Sequence, residues 1–256
     1  MTATIINEEI LRSSAPAIFA TKPDSDRTSD RYNFLPTTEI IEVLQDEGWE
    51  AWSAVQVSSR KWDSMSAKHM VRLRRQKEGL QFGDSQIEML LINSHNGIQS
   101  YNLHGGVFRL VCSNGMVIAS EDYGSVKLKH IGNEKEEVIQ ASRDLVGQTN
   151  RIVEKVDTWK SIQMSADRQN SFYTEAAALR WEEPSIEMVA NVGAARRPED
   201  AGDDLWSVFN RTQENLIRGG FVDSRTRRRA RVITNIQKDL DLNTNLWSLA
   251  NNYMNN

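Results

Sequence analysis

Four histidines and one cysteine are the side chains of this sequence best suited to hold a metal ion: His69, His95, His104, His130 and Cys112. None of them shares a local spacing such as CxxC, HxH or HExxH, by which a short segment supplies neighbouring zinc ligands. The sequence therefore predicts no metal site and no cofactor. The histidines are expected to hydrogen-bond neighbouring strands or to lie near phosphate, and the cysteine is expected to be a small buried side chain.

Hydrolytic chemistry would need a nucleophile beside a base, or several carboxylates around a metal ion. Ser94 and His95 are adjacent, but consecutive residues of a strand point to opposite faces. The candidate carboxylates are scattered over predicted loops and strand ends: Asp63, Asp84, Glu88 and Asp122. We therefore assign no catalytic residue. A metal-dependent nuclease is kept as the second of two alternatives to the function favoured below. The sequence also lacks the phosphate-binding patterns GxxxxGK[ST] and GxGxxG, which argues against an ATP-driven motor or a dinucleotide enzyme.

Cationic side chains are concentrated locally although the net charge is −4. A local basic surface is what nucleic acid requires, because attraction to phosphate decays over roughly 10 Å at physiological salt. Tyr101 and Phe108 are expected to stack on bases. The alternative is that the cations pair with the acidic segments 39–50 and 134–137. The predicted nucleic-acid-binding residues are Arg72, Arg74, Arg109, Lys127, Lys129, Arg225, Arg227, Arg228 and Arg231, with Arg229 in the same run.

The elements that would position these cations begin with a helix from Pro36-Thr37-Thr38-Glu39 to Gly48, in which a hydroxyl caps the first turn. Strand candidates follow at 49–59, 68–75, 86–93, 108–119 and 125–130, which predicts an antiparallel meander. Alternation along the second strand places Arg72 and Arg74 together on one face. We expect that face to be exposed, so that reversing both charges would weaken DNA binding with little loss of folding.

Helical patterns dominate after residue 133. Val138, Leu145, Ile152 and Trp159 recur every seven residues, which predicts one long helix over the sheet. The same stripe would also suit half of an oligomer seam. Further helices are predicted before Gly219-Gly220, over 226–240 with the arginine cluster, and over 243–254.

The predicted fold class is α+β: an antiparallel β-meander sheet covered by long helices, with a helical C-terminal part. The predicted domains are an extended N-terminal arm over 1–35, an α+β core over 36–180 and a helical region over 181–256. No run of about 18 apolar residues is present, and the first residues do not resemble a signal peptide. The sequence therefore predicts no membrane partner and a cytoplasmic location in a bacterial host, which suits a single cysteine.

Seven motifs occur in an order that is specific when taken together. They are APAIFATKPDSDRTSDRYNFLPTTEII, the strand with His69 and Arg72-Leu73-Arg74, INSHNG, GGVFRLVCSNGMV, KLKHIG, NRTQENLIRGG and NTNLWSLANNYM. In these motifs the chain resembles, over nearly its whole length, the family known as domain of unknown function 932. The resemblance implies an origin in phages, plasmids or other mobile elements, and points toward DNA maintenance, recombination or counter-defence. It supplies no catalytic residues.

These observations favour a non-enzymatic DNA-binding protein that binds single strands, with a homo-oligomer as its expected assembly, in recombination or replication of a mobile element. A meander followed by a long helix is also the layout of single-strand annealing proteins, which is a likeness of architecture alone. The first alternative is an interaction protein that blocks a host defence system. The partners considered are therefore DNA, a second copy of the chain and a host defence protein.

Overall fold

The computed structural model of the protein describes residues 8–24, 26, 28, 32, 34–58, 63–75, 81–82, 85–97, 101–109, 114–117, 125–128, 134–224 and 226–255. The chain forms two compact units, the first from Met1–Leu110 with Ser120–Thr149 and the second from Val111–Ala119 with Asn150–Asn256. The first unit contains an antiparallel sheet with helices, and the second is mainly helical. The predicted α+β class with a helical C-terminal part is confirmed. None of the helices described is long and apolar enough to cross a membrane.

The first unit contains helices α1 Glu8–Ser14, α2 Thr37–Asp46 and α3 Glu134–Gly147, with single 3-10 turns at Pro16–Phe19 and Ser64–Ser66. Its strands are β1 Trp49–Gln56, β2 His69–Arg75, β3 Gln81–Phe82, β4 Ser85–Asn93, β5 Tyr101–Arg109 and β7 Ser125–Leu128. Strand β6, Asn114–Val117, belongs to the second unit. The N-terminal arm differs from the extended segment predicted, because α1 and the following 3-10 turn bury Leu11, Ala17 and Ile18.

The sheet of the first unit runs β1-β2-β4-β5 with every neighbouring pair antiparallel, while β3 pairs with β4 and β7 pairs with β5. The fourth predicted strand was expected to begin at residue 108. In the structure the strand at this place in the sheet is β5, which begins at Tyr101, so the predicted boundary is corrected. Gly105 and Gly106, a pair of the kind that often marks a strand bulge, are instead paired in register with Met89 and Glu88. Pairing with a central strand therefore overrides the low strand propensity of glycine.

One face of this sheet carries the core of the unit. Val71, Leu91 and Leu103 lie opposite one another on successive strands and are all buried. Helix α2 buries Ile40 and Leu44, packs on β1 and contacts α3, which in turn contacts β5 and β7.

The predicted long helix is two helices, because α3 ends at Gly147 and α4, Thr149–Ser161, begins after Gln148. The residues of the seven-residue stripe are all buried, but Val138 and Leu145 belong to the first unit whereas Ile152 and Trp159 belong to the second. The hydroxyl of Thr149 bonds back to the carbonyl of Leu145, a contact that often bends helices. The repeat therefore predicted burial correctly and helix continuity wrongly.

The second unit contains most of α4, then α5 Ala166–Ala178, α6 Ile186–Gly193, α7 Leu205–Arg218 and α8 Ile236–Asn255, with a 3-10 turn at Pro198–Asp200. Side chains cap three of these helices, since Ser165, Ser185 and Asp204 each accept a backbone N–H of the first turn. Aromatic rings fill the centre, with the Trp159 and Trp247 ring centroids 4.5 Å apart.

Helix α7 is buried on its polar side as well as on its apolar side, which explains the motif NRTQENLIRGG. Arg211 donates to the Tyr173 hydroxyl at 2.9 Å and to Gln169 Oε1 at 2.7 Å. Gln213 donates to Asn243 Oδ1 of α8 at 2.8 Å. Polar groups can be buried without a large cost when they are hydrogen-bonded in this way. The motif is therefore the structural centre of the second unit.

Candidate nucleic-acid interface

The candidate interface begins where the chain leaves α7 through two glycines. Gly219 adopts φ 56° and ψ −128°, and Gly220 adopts φ 97°. A Cβ on Gly219 would lie 2.5 Å from the carbonyl oxygen of Ala230, closer than real Cβ contacts allow. Only glycine fits this position, because the backbone is left-handed and another backbone segment lies against it. The glycine pair thus allows the chain to turn so that its backbone lies directly against that of Ala230.

That approach is a short hairpin, which we call the arginine hairpin: residues 221–224 and 226–231. Its backbone ladder joins Ala230 N–H to the Phe221 carbonyl at 2.9 Å and Asp223 N–H to the Arg228 carbonyl at 3.0 Å. At the tip, Arg227 has φ 53° and the buried Asp223 accepts the Thr226 hydroxyl at 2.6 Å. The helix predicted over 226–240 is therefore wrong, since α8 begins only at Ile236. Arginine favours helices, but the glycine pair and the Asp223 turn commit this segment to backbone pairing.

The arginines of the hairpin are exposed: Arg227, Arg228, Arg229 and Arg231. Among the described residues, none of these four takes part in an ion pair. Arg229 donates its Nε to the Gly220 carbonyl at 3.2 Å, which fixes the side chain without neutralising it. For these four arginines, the alternative that acidic segments neutralise the cations is therefore not supported within the described residues.

A cleft of about 720 Å³ opens beside the hairpin, and we call it the hairpin cleft. The Trp181 and Phe221 rings meet edge to face in its lining, with centroids 5.7 Å apart, and the Arg180 guanidinium lies 4.8 Å from the centroid of the Trp181 ring. The cleft therefore combines exposed cations with aromatic surface. Its lining is Arg180, Trp181, Glu182, Glu183, Met188, Phe221, Asp223, Thr226, Arg228, Arg229, Ala230 and Arg231.

Arg180 fastens the hairpin to the end of α7, a role that the sequence did not indicate. Its guanidinium donates to the carbonyl oxygens of Leu216 and Arg231. Burial lowers the pKa of this arginine from its usual value. No sequence pattern pointed to Arg180 or Trp181, because they follow α5, far along the chain from the arginine run.

The sheet arginines have the opposite environment. Arg72 Nη1 lies 2.9 Å from Glu88 Oε2, and Arg74 Nε lies 2.7 Å from Glu88 Oε1. The side chains of Arg72, Arg74 and Glu88 are only 11%, 3% and 0% exposed, and the Arg74 guanidinium lies 3.8 Å from the centroid of the Trp52 ring. The expectation that this face is exposed was therefore wrong. Strand register places Glu88 directly opposite Arg74, and alternation alone does not indicate whether a second sheet face is covered.

The other predicted contacts are distributed over the first unit and beyond the described residues. Arg109 lies on β5 opposite Ser85, and Lys127 lies on β7 opposite Asn102. Tyr101 is fully buried and its hydroxyl donates to the Leu35 carbonyl, so the expected stacking of its ring on a base is wrong. Phe108 lies on β5 opposite Gln86. Lys129 and Arg225 lie outside the described residues.

The motif INSHNG contributes to a buried polar cluster in the first unit, centred on the hydroxyl of Thr37. Thr37 Oγ1 lies 2.9 Å from His69 Nε2 and 3.2 Å from His95 Nε2, and it accepts the Asn93 amide at 3.2 Å. A hydroxyl of the segment 36–39 was expected to cap α2, but the residue before the helix is Pro36, whose side chain makes no capping hydrogen bond, while Thr37, the first helical residue, bonds the histidines. Burial lowers the pKa of His69 to about 4. The two histidines are thus held by hydrogen bonds, but their shared partner is a residue of helix α2 rather than a strand neighbour as expected.

The candidate catalytic groups have structural partners in the described residues. Ser94 Oγ donates to Asn96 Oδ1 at 2.8 Å, while the His95 ring bonds Thr37, so Ser94 and His95 do not form a nucleophile and base. Asp63 accepts the Met65 N–H of a 3-10 turn. Within the described ranges, no three His, Cys, Asp or Glu side chains are grouped to hold a metal ion. Asp84, Cys112, Asp122 and His130 lie outside those ranges.

Burial also lowers the pKa of His104 to about 4, with a smaller effect from Lys68.

Comparisons with known proteins agree with the ordered motifs. The sequence profile of the family described as "Domain of unknown function (DUF932)" matches residues 26–247. The UPF0380 protein YafZ of Escherichia coli (strain K12) is 34% identical over 251 residues, which cover 96% of this chain and 90% of that protein. The UPF0380 protein YfjQ of the same strain is also 34% identical over 251 residues. No solved structure matches the chain.

Proposed function

The chain belongs to the family described as domain of unknown function DUF932, and from that premise we propose that it binds single-stranded DNA through the arginine hairpin and the hairpin cleft. The observation that carries this proposal is the group of exposed arginines, outside any ion pair of the described residues, beside a cleft with two aromatic rings. We propose further that this binding serves recombination or replication of a mobile element.

The chemistry of the hairpin suits a sugar-phosphate backbone. Guanidinium groups donate to phosphate oxygens in pairs and keep their charge at every physiological pH. Arg227, Arg228 and Arg231 are exposed on a hairpin that backbone hydrogen bonds hold together. Their side chains can therefore contact phosphates while the hairpin keeps its conformation. Such contacts carry no base information, and the expected binding is therefore tolerant of sequence.

The aromatic lining of the cleft favours a single strand over a duplex. A base can stack on Trp181 or Phe221 only when its flat face is accessible, and in a duplex the neighbouring bases cover that face. Glu182 and Glu183 line the same cleft and repel phosphate. The phosphates are therefore expected on the arginine side, with the bases toward the rings.

Binding is tested by fluorescence anisotropy of a labelled single-stranded oligonucleotide over a range of salt concentrations. The variant Arg227→Ala, Arg228→Ala, Arg231→Ala should weaken binding and reduce the slope of log affinity against log salt by about 0.7 for each phosphate that the protein no longer neutralises. Its unfolding free energy should change by no more than about 0.5 kcal/mol for each of the three substitutions, because these are exposed side chains.

The matched control removes the same charge elsewhere. Arg12, Arg143 and Arg151 are exposed helical arginines of other segments, and replacing them by Ala should leave the salt slope unchanged. Equal losses of affinity in the two triple variants would mean that only net charge matters. A wild-type protein that binds no oligonucleotide would overturn the proposal.

A further inference from the structure

A second cleft, of about 500 Å³, adjoins the hairpin cleft, and we call it the α8 cleft. The two clefts share Arg180 and Arg231 in their linings. These two residues therefore lie at the boundary between the clefts, which we call the ridge, and there Arg180 donates to the Arg231 carbonyl. The rest of the lining of the α8 cleft includes Leu179, Val232, Thr234, Lys238, Asp241 and Asn245.

We propose that the bound strand crosses this ridge, so that the ligand is an oligonucleotide that occupies both clefts rather than a mononucleotide or a dinucleotide in one. This inference rests on the proposed function and extends it to the length and path of the ligand.

The charges along the two clefts support a continuous path. Arg231 is exposed at the ridge and Lys238 is exposed on the far side of it, and neither takes part in an ion pair of the described residues. Asp241, the acidic residue of the lining, accepts the Gln237 amide at 2.8 Å, which occupies one of its oxygens. A strand leaving the hairpin would therefore meet a cation at the ridge and another beyond it.

The apolar part of the α8 cleft suits a nucleotide base. Leu179 and Val232 are 39% and 57% exposed, although both are large apolar side chains. Apolar contact with a base face would remove this surface from water. The side chains of Thr234 and Asn245 supply a hydroxyl and an amide, which can bond the edge of a base but cannot pair with phosphate as strongly as a cation can. The α8 cleft therefore offers contacts for a base as well as for a phosphate.

The test compares single-stranded oligonucleotides of increasing length, from roughly four to sixteen nucleotides, the range of site sizes found among single-strand-binding folds. Wild-type affinity should rise with length until both clefts are filled. The variant Lys238→Ala should lower the salt slope for the longer oligonucleotides by about 0.7, and leave the shortest unaffected. The hairpin triple variant should weaken binding at every length.

Lys160→Ala is the matched control, because Lys160 is an exposed lysine of the same unit that pairs with Asp157. It should change the salt slope at no length. If Lys238→Ala behaves like Lys160→Ala while the wild type binds, the α8 cleft is not used and the inference fails alone. If the wild type binds no oligonucleotide of any length, the inference fails together with the proposed function.

Discussion

The sheet arginines and the hairpin arginines are chemically the same side chain in opposite environments. On β2, Arg72 and Arg74 share the carboxylate of Glu88 and are almost covered. On the arginine hairpin, Arg227 and Arg228 are exposed and outside any ion pair of the described residues. The density of arginine in a sequence therefore does not locate a binding surface.

Strand register explains much of the difference. A residue within a sheet has a fixed neighbour on each adjoining strand, and Glu88 is the cross-strand neighbour of Arg74. The tip of a hairpin has no such neighbour beyond its own turn. An acidic residue must therefore reach it from another element, and the described elements provide none within ion-pair distance of Arg227 or Arg228.

The largest expected effect comes from removing the shared carboxylate. Glu88→Gln would leave two nearly buried guanidinium groups without it, and loss of one partner from a buried ion pair costs about 3–5 kcal/mol of unfolding free energy. Urea titration measures this loss. As a control, Glu39→Gln removes an exposed pair with Lys135 and should cost about 1 kcal/mol or less. Equal costs in the two variants would show that the buried ion pairs of Glu88 stabilise the chain no more than an exposed pair does.

For the same reason, Arg72→Glu combined with Arg74→Glu should now unfold the first unit, rather than leave it folded as the sequence suggested.

The next-largest expected effect is a dependence of the stability of the first unit on pH, which the hairpin arginines do not share. Burial holds the pKa of His69 at about 4 in the folded chain, whereas its ordinary value is 6.5, so between these values the unfolded chain binds a proton that the folded chain does not. Stability is therefore full above pH 6.5 and falls as the pH drops toward 4, by on the order of 3 kcal/mol. Urea titrations at a series of pH values measure this slope.

His104 should add a dependence of the same sign, because burial lowers its pKa as well. The variant His69→Gln should therefore give a shallower slope rather than a flat one. Affinity for DNA at pH above 6.5 should be constant, since arginine does not titrate there. A slope that is identical in the wild type and the variant would refute the role given to His69.

The smallest expected effect on stability tests whether the shape of the hairpin matters as well as its charge. Gly219→Ala would place a Cβ against the Ala230 carbonyl in a left-handed backbone, which costs about 1–3 kcal/mol. DNA binding should weaken although no charge changes. Gly147→Ala is the control, because it lies in α3 with nothing within 4 Å of an added Cβ. It should be neutral or stabilising by up to about 1 kcal/mol. Unchanged DNA binding in Gly219→Ala would show that charge alone suffices.

Much of the fold follows from local pattern. Alternation placed Arg72 and Arg74 together on one face of β2, opposite the buried Val71 and Leu73, and the glycine pair at 219–220 marked the end of α7. The end of the helix before Gly48 was also predicted from glycine, which there adopts φ 85°. Each of these features depends on residues that are close in sequence.

The site depends on residues that are far apart. Arg180 and Trp181 reach the hairpin through tertiary packing, and no periodicity connects them to residues 221–231. Local pattern could not predict the role of the Thr37 hydroxyl, because its partners His69 and His95 lie 32 and 58 residues further along the chain. The arginine run resembled a helix because arginine has a high helix propensity, whereas the competing turn is set by Gly219 and Asp223.

The way the arginine hairpin is held has a consequence for how its surface could change. Its ladder joins backbone groups, and Arg180 grips it through the carbonyl oxygen of Arg231 rather than through a side chain. Substitutions at Arg227, Arg228 and Arg231 can therefore alter what the surface attracts while the loop keeps its shape. A few point substitutions on the hairpin can therefore change which ligands it prefers while the backbone that holds it stays the same.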